Sequence, residues 1–178
     1  MRQRSRDARN TRTSWRHVDL SGTPSGSSGG TGVAIAAAYA PVGMGTDTGG
    51  SIRGPSTVSG IVGLKPTHGL LSRSGIIPLA LTFDTGGPLA RNVYDVAAVL
   101  GVLTGVDSSD AATRKSEGKF ATDYTKNLDA NALKGARIGL ARDFMGADPD
   151  VDWVIEAAAA TMRQGPHWVR SIPRAWTR

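Results

Sequence analysis

The chain has 178 residues, 39% of them hydrophobic and 20% charged, the make-up of an ordinary soluble globular domain, and it contains no cysteine. Disulfides, thiolate metal sites and a cysteine nucleophile are thereby excluded, and His17, His68 and His167 lie too far apart for the familiar His-based metal motifs, so no metal is expected. The net charge of +6 is unevenly spread: residues 1–20 carry six Arg against two acids and residues 163–178 four Arg against none, while the stretch between carries eleven bases against thirteen acids.

The chain opens with Arg2, Arg4, Arg6, Arg9, Arg12 and Arg16, an arm that could contact nucleic acid. The acidic balance of the body argues against that partner. The two ends hold ten Arg, no Lys and three of the four Trp, a usage unlike the body's. They read as disordered or as translation in another frame, because GC-rich DNA read out of frame tends to yield Arg, Pro, Trp and Ser. Met1 to Leu20 has no apolar core of a secretory signal, and no apolar run reaches membrane-spanning length. A soluble, cytoplasmic protein is expected.

The first glycine cluster, Ser25-Gly-Ser-Ser-Gly-Gly-Thr-Gly32, precedes an alanine-rich segment, Thr31 to Tyr39, that reads as a short buried helix with Ser28, Gly29 and Gly30 in its first turn. Pro41 ends it. Val42 to Gly45 reads as a strand leading into the second cluster, Thr46-Asp-Thr-Gly-Gly-Ser-Ile-Arg53, and Ile61 to Leu64 as another. Val93, Val96, Ala97, Leu100 and Leu103 recur at helical spacing, with Asn92 as N-cap and Gly105 as stop. Residues 107–131 read as a polar surface excursion, Ala136 to Ala141 as a strand, and Val151 to Met162 as a helix announced by Asp148-Pro-Asp150. Strands alternating with helices predict an α/β fold with a parallel or mixed sheet flanked by helices.

The glycine clusters match no phosphate-binding pattern. No lysine stands where a Walker loop needs one, and Gly43-Met-Gly45-Thr-Asp-Thr48 breaks the dinucleotide fingerprint at its last position. Gly26-Ser-Ser28-Gly-Gly30 has the spacing of a nucleophile elbow but follows no strand, and Ser116-Glu-Gly-Lys119 lacks the motifs that accompany a Ser-x-x-Lys enzyme. No cofactor is expected.

Taken together the clusters suit acyl transfer. Successive N–H groups from Thr48 to Ser51 could line one concavity with the Ser51 hydroxyl at its rim, and Ser27 could relay a proton to or from it. Gly26-Ser-Ser-Gly-Gly30, Gly45-Thr-Asp-Thr-Gly-Gly-Ser-Ile-Arg53, Gly60-Ile-Val-Gly-Leu-Lys-Pro-Thr67, Gly69-Leu-Leu-Ser-Arg73 and Gly87-Pro-Leu-Ala-Arg91 resemble, in order and spacing, the amidase signature family, which includes amidases like the A component of glutamyl-tRNA amidotransferase. The resemblance covers residues 23–162, set between an unmatched segment 1–22 and an unmatched tail 163–178. It implies part of the amidase-signature fold and a Ser–cis-Ser–Lys triad acting on a small-molecule amide. By resemblance Ser51 is the acyl-forming nucleophile, Ser27 the cis-serine and Ser28 its support. Thr48, Gly49, Gly50 and Ser51 supply oxyanion donors, Asp47 and Arg53 hold the loop, and Lys65 braces the sheet. Family members often dimerise or join larger complexes. The family's lysine lies upstream of the first cluster, yet no lysine precedes Ser27 in this chain. An amidase fragment without activity of its own is therefore expected; the alternative is a non-catalytic α/β module whose basic arms bind an acidic partner.

Overall fold

The computed structural model describes residues 22–164 and 168–171. The Arg-rich segment up to residue 21, and the expectation of a disordered or out-of-frame arm there, lie outside the described residues, as do residues 172–178 of the tail. The chain divides into two compact units, one up to Asn127 and one from Leu128.

In the first unit, α1 (Gly29–Ala36) leads to β1 (Val42–Asp47), α2 (Arg53–Val58), β2 (Val62–Gly63), β3 (Thr85–Ala90) and α3 (Val93–Leu103). The strands form one sheet in the order β1-β3-β2, antiparallel throughout, with Val42 opposite Ala90 and Asp47 opposite Thr85. Strands alternate with helices in the α/β pattern that the sequence predicts, and within this sheet the ladders are antiparallel. The central strand β3 is buried at all six positions, yet its sequence, Thr-Gly-Gly-Pro-Leu-Ala, reads as a turn. Proline is tolerated there because of where the pairing stops. The Pro88 carbonyl accepts the Leu64 N–H at 3.0 Å, so the edge of Pro88 that lacks an N–H faces the end of β2, where Lys65-Pro66 leaves the ladder. Gly87 is required by packing: a Cβ would lie 2.1 Å from the Leu64 carbonyl oxygen and 2.9 Å from Ile52 Cδ1.

The outer edge of β1 is met by hydroxyls from α1 and its N-cap. Ser28 Oγ accepts the Thr46 N–H at 3.1 Å and donates to the Thr46 carbonyl at 3.2 Å, and Thr31 Oγ1 donates to the Met44 carbonyl at 3.0 Å. Behind this seam Ile35, Ile52 and Leu89 form the buried core, with Ala40 and Ile61 against it. The helix α2 was not expected; its Pro55 sits in the first turn, where the missing N–H has no intrahelical partner to lose.

Helix α3 matches the spacing that predicts it. The Asn92 side chain accepts the Asp95 N–H at 2.8 Å, and Val96, Ala97 and Leu100 face inward, whereas Val93 is exposed. The stretch 107–131 is not a free excursion. Asp110 receives Arg73 Nε at 2.8 Å and Nη2 at 2.6 Å, Asp107 receives the Ser72 hydroxyl at 2.5 Å, and Thr113 is fully buried within a short 3-10 turn, Ala111–Ser116.

The second unit is a crossover of β4 (Arg137–Leu140), α4 (Pro149–Gln164) and β5 (Trp168–Ser171), with β4 and β5 parallel, the connection that a βαβ pattern requires. Asp148 starts α4: its carboxylate accepts the Asp150 and Val151 N–H groups at 2.9 and 3.3 Å. β5 lies inside the tail whose composition differs from the body's. No helix among the described residues is long and apolar enough to cross a membrane.

Candidate active site

The loop from Asp47 to Arg53 joins the end of β1 to α2 and is organised around one buried carboxylate. Asp47 has no exposed surface. Its oxygens accept the N–H groups of Gly50, Ile52 and Arg53 at 2.7, 3.2 and 3.4 Å. The Arg53 guanidinium reaches both oxygens, through Nε at 3.1 Å and Nη2 at 3.3 Å, and Lys65 Nζ lies 3.2 Å from Oδ1. Burial alone would raise the Asp47 pKa, but the hydrogen bonds from Arg53, the Ile52 N–H, Lys65 and the Gly50 N–H outweigh it and hold the carboxyl far below the usual carboxylate range. The charge is therefore fixed, and the loop is wrapped around it.

Two further contacts fix the loop against its surroundings. The Ser51 carbonyl accepts the Ser28 N–H at 3.1 Å, which brings the first glycine-serine cluster against the second. The Thr48 hydroxyl donates to Asp84 Oδ1 at 2.5 Å, and Asp84 Oδ2 accepts the N–H groups of Leu79 and Ala80 at 2.8 and 2.9 Å. The Thr48 hydroxyl, against the opposing cost of burial, keeps the Asp84 pKa below its ordinary value, helped by those two N–H groups and by Arg73.

The positions singled out from the sequence distribute as follows. Thr48, Gly49, Gly50 and Ser51 form one turn, with Gly50 at φ +143°, a conformation that favours glycine. The Gly50 N–H is already given to Asp47, whereas those of Thr48, Gly49 and Ser51 have no acceptor among the described residues. Ser51 is half-buried and Ser27 exposed, and neither hydroxyl is engaged by a described residue. The Gly26–Ser27 peptide bond is cis. Ser28 spends its hydroxyl on β1. Asp47 and Arg53 form the ion pair that braces the loop. Lys65 does not brace the sheet; besides meeting Asp47 it donates to the Thr48 carbonyl at 2.6 Å.

Ser27 and Ser28 line a cavity of about 570 Å³ that continues between the apolar side chains of Met44, Leu71, Ile76 and Leu103; Ser51 is not part of its wall. Among the described residues no group of three His, Asp or Glu side chains is placed to share a metal ion. Asp84 went unnoticed in the sequence, since a lone acid before Thr85-Gly-Gly-Pro88 belongs to no periodic pattern.

The amidase family profile matches residues 9–173. The A component of the glutamyl-tRNA(Gln) amidotransferase of Alkalilimnicola ehrlichii is 43% identical over 162 residues, which is 90% of this chain and 33% of that protein. Its counterpart in Lactiplantibacillus plantarum is 45% identical over 150 residues, 83% of this chain and 29% of its own. Among solved structures, the native peptide amidase from Stenotrophomonas maltophilia superimposes with a TM-score of 0.76 at 45% identity, covering 84% of this chain and 31% of that one. The A component of the Thermotoga maritima glutamyl-tRNA(Gln) amidotransferase gives 0.68 at 28% identity, covering 84% and 32%. The chain thus spans about a third of the length of the curated relatives it matches.

Proposed function

Because this chain belongs to the amidase family, we propose that it carries the acyl-transfer half of an enzyme that cleaves the C–N bond of carboxylic amides, with Ser51 as nucleophile and Ser27 as its proton relay. The observation that supports this reading is the Asp47-centred loop: one buried carboxylate accepts the Gly50, Ile52 and Arg53 N–H groups of the turn that carries Ser51, while those of Thr48, Gly49 and Ser51 have no acceptor among the described residues. The Ser51 oxygen adds to the amide carbon while its proton passes toward Ser27. The resulting oxyanion lies against the N–H groups of Thr48, Gly49 and Ser51, donors that need no reorganisation during the reaction. The amine departs with a proton, leaving an ester on Ser51 that water cleaves.

A hydroxyl relay must end on a base. Lys65 is directed at Asp47 and Thr48, and no lysine precedes Ser27 in the sequence. An unactivated hydroxyl is a poor nucleophile, so the chain by itself is expected to turn over no amide. The test uses p-nitroacetanilide with the chain and with Ser51→Ala. Neither releases p-nitroaniline unaided, and added ethylamine, standing in for the missing base, restores a slow release that only the chain with Ser51 shows. Ser51-dependent turnover without added amine would overturn the claim that the base is missing; release that Ser51→Ala equals in the presence of amine would overturn the nucleophile.

A further inference from the structure

A peptide group is planar, and in its trans form the C=O and the following N–H point in opposite directions, so whatever holds the carbonyl also aims the N–H. The candidate loop shows this once already: the Ser51 carbonyl accepts the Ser28 N–H at 3.1 Å, and the N–H of the same peptide, on Ile52, points the other way into Asp47 Oδ2 at 3.2 Å. The peptide between Thr48 and Gly49 is held on its carbonyl side by Lys65 Nζ at 2.6 Å, a short charge-assisted contact. The same ammonium is anchored 3.2 Å from Asp47 Oδ1, and the Thr48 side chain is fixed separately by Asp84 at 2.5 Å. The Gly49 N–H of that peptide meets no acceptor among the described residues, and apart from its chain neighbours nothing lies within 4 Å of where a Gly49 Cβ would be.

We propose that Lys65 is a positioning residue: by pinning the Thr48 carbonyl it turns the Gly49 N–H to the opposite side of the peptide and keeps it there, beside Ser51 in the turn, as an oxyanion donor. This rests on the amidase reading for what the donor meets, but not for how the donor is aimed. Lys65 therefore serves the reaction from behind the loop without touching the substrate, and its charge balances the buried Asp47 together with Arg53.

The test is an NMR measurement on the 15N-labelled chain, followed by a binding titration. In the unaltered chain the Gly49 amide has an order parameter close to the rigid-backbone value of about 0.85. Lys65→Met drops Gly49 below about 0.6 while Gly50 and Ile52, still held by Asp47, stay rigid. Lys65→Gln keeps an N–H for the Thr48 carbonyl and restores Gly49. Equal loosening of all three amides in Lys65→Met, or none at Gly49, overturns the proposal. Should Lys65→Met fail to fold, a mobile Gly49 in the unaltered chain overturns it alone. The titration uses phenylboronic acid, whose boron bonds to Ser51 Oγ as the hydroxyl proton passes to solvent, leaving a tetrahedral anion. Its Kd rises roughly tenfold in Lys65→Met, in line with the loss of one oriented donor, and stays within about twofold in Lys65→Gln. An unchanged Kd in Lys65→Met contradicts the donor role. Absence of boronate binding to the unaltered chain, with Gly49 still responding to Lys65, removes the amidase reading and leaves the aiming of the peptide standing.

Discussion

Asp47 is the residue on which the site depends most. It accepts three backbone N–H groups and meets two cations with no surface exposed, so replacing its carboxylate strands those donors in the interior. Asp47→Asn is expected to cost about 3–5 kcal/mol in urea unfolding, the range for breaking a buried pair, whereas Arg53→Ala, which removes a half-exposed partner, costs about 1 kcal/mol or less. The folded pKa values of Asp47 and Asp110 both lie below their unfolded values, so the stability they confer is complete above an unfolded carboxylate pKa near 3.9 and is lost as the pH falls through and below it. Thermal midpoints should be level from neutrality down to about pH 5 as far as these groups decide, then fall steeply, with Asp110→Asn flattening part of that fall. At this scale the sequence was legible where residues form a contiguous signature, as from Thr46 to Arg53. It was opaque where a partner comes from far along the chain: Asp84 reaches Thr48 across 36 positions and Asp110 reaches Arg73 across 37.

Helix α3 and the β4–α4 pair follow from local signals, because an apolar stripe at helical spacing and an Asn or Asp cap act within one or two turns of chain. The strand β3 does not. Its glycines are small so that β2 and Ile52 can approach, and Pro88 is accommodated because β2 ends opposite it, both of which are decided by neighbours and not by the strand's own residues. Gly87→Ala is accordingly expected to destabilise by at least about 1–3 kcal/mol, the cost of overpacking, although the position looks like an ordinary turn glycine in the sequence. Gly50→Ala perturbs the loop for a different reason: space is free around it, but its φ of +143° is held at a cost of about 1–3 kcal/mol by any other residue. Denaturant midpoints of the two variants should therefore both fall, while only Gly50→Ala alters phenylboronic acid binding beyond the change in folded fraction. In the sheet order β1-β3-β2, α2 links two strands that run in the same direction, so the strand–helix–strand alternation legible in the sequence is present. What it does not reveal is that β3, from later in the chain, inserts between them and makes both ladders antiparallel.

At the scale of the whole chain, the family match and the Asp47-centred loop are present in a sequence about a third as long as its curated relatives. Ile77, Leu79, Leu81 and Phe83 stand out in the first unit with 93, 81, 63 and 63% of their surface exposed, a large apolar stretch for a chain in water. Sedimentation should show concentration-dependent self-association, relieved by replacing Ile77 and Leu79 with Lys; a monomer at all concentrations would refute this. The central claim is narrower, that the turn from Asp47 to Arg53 presents Ser51 as a preformed but unactivated nucleophile. Exposing the 178-residue chain to a small alkyl phosphonofluoridate and mapping the adducts by mass spectrometry tests it most directly. The account requires one modified serine, Ser51, labelled slowly at neutral pH, faster as the pH rises, and not at all in Ser51→Ala. Labelling at Ser27 or Ser28 in its place, or an unmodified Ser51 even at alkaline pH, would contradict it.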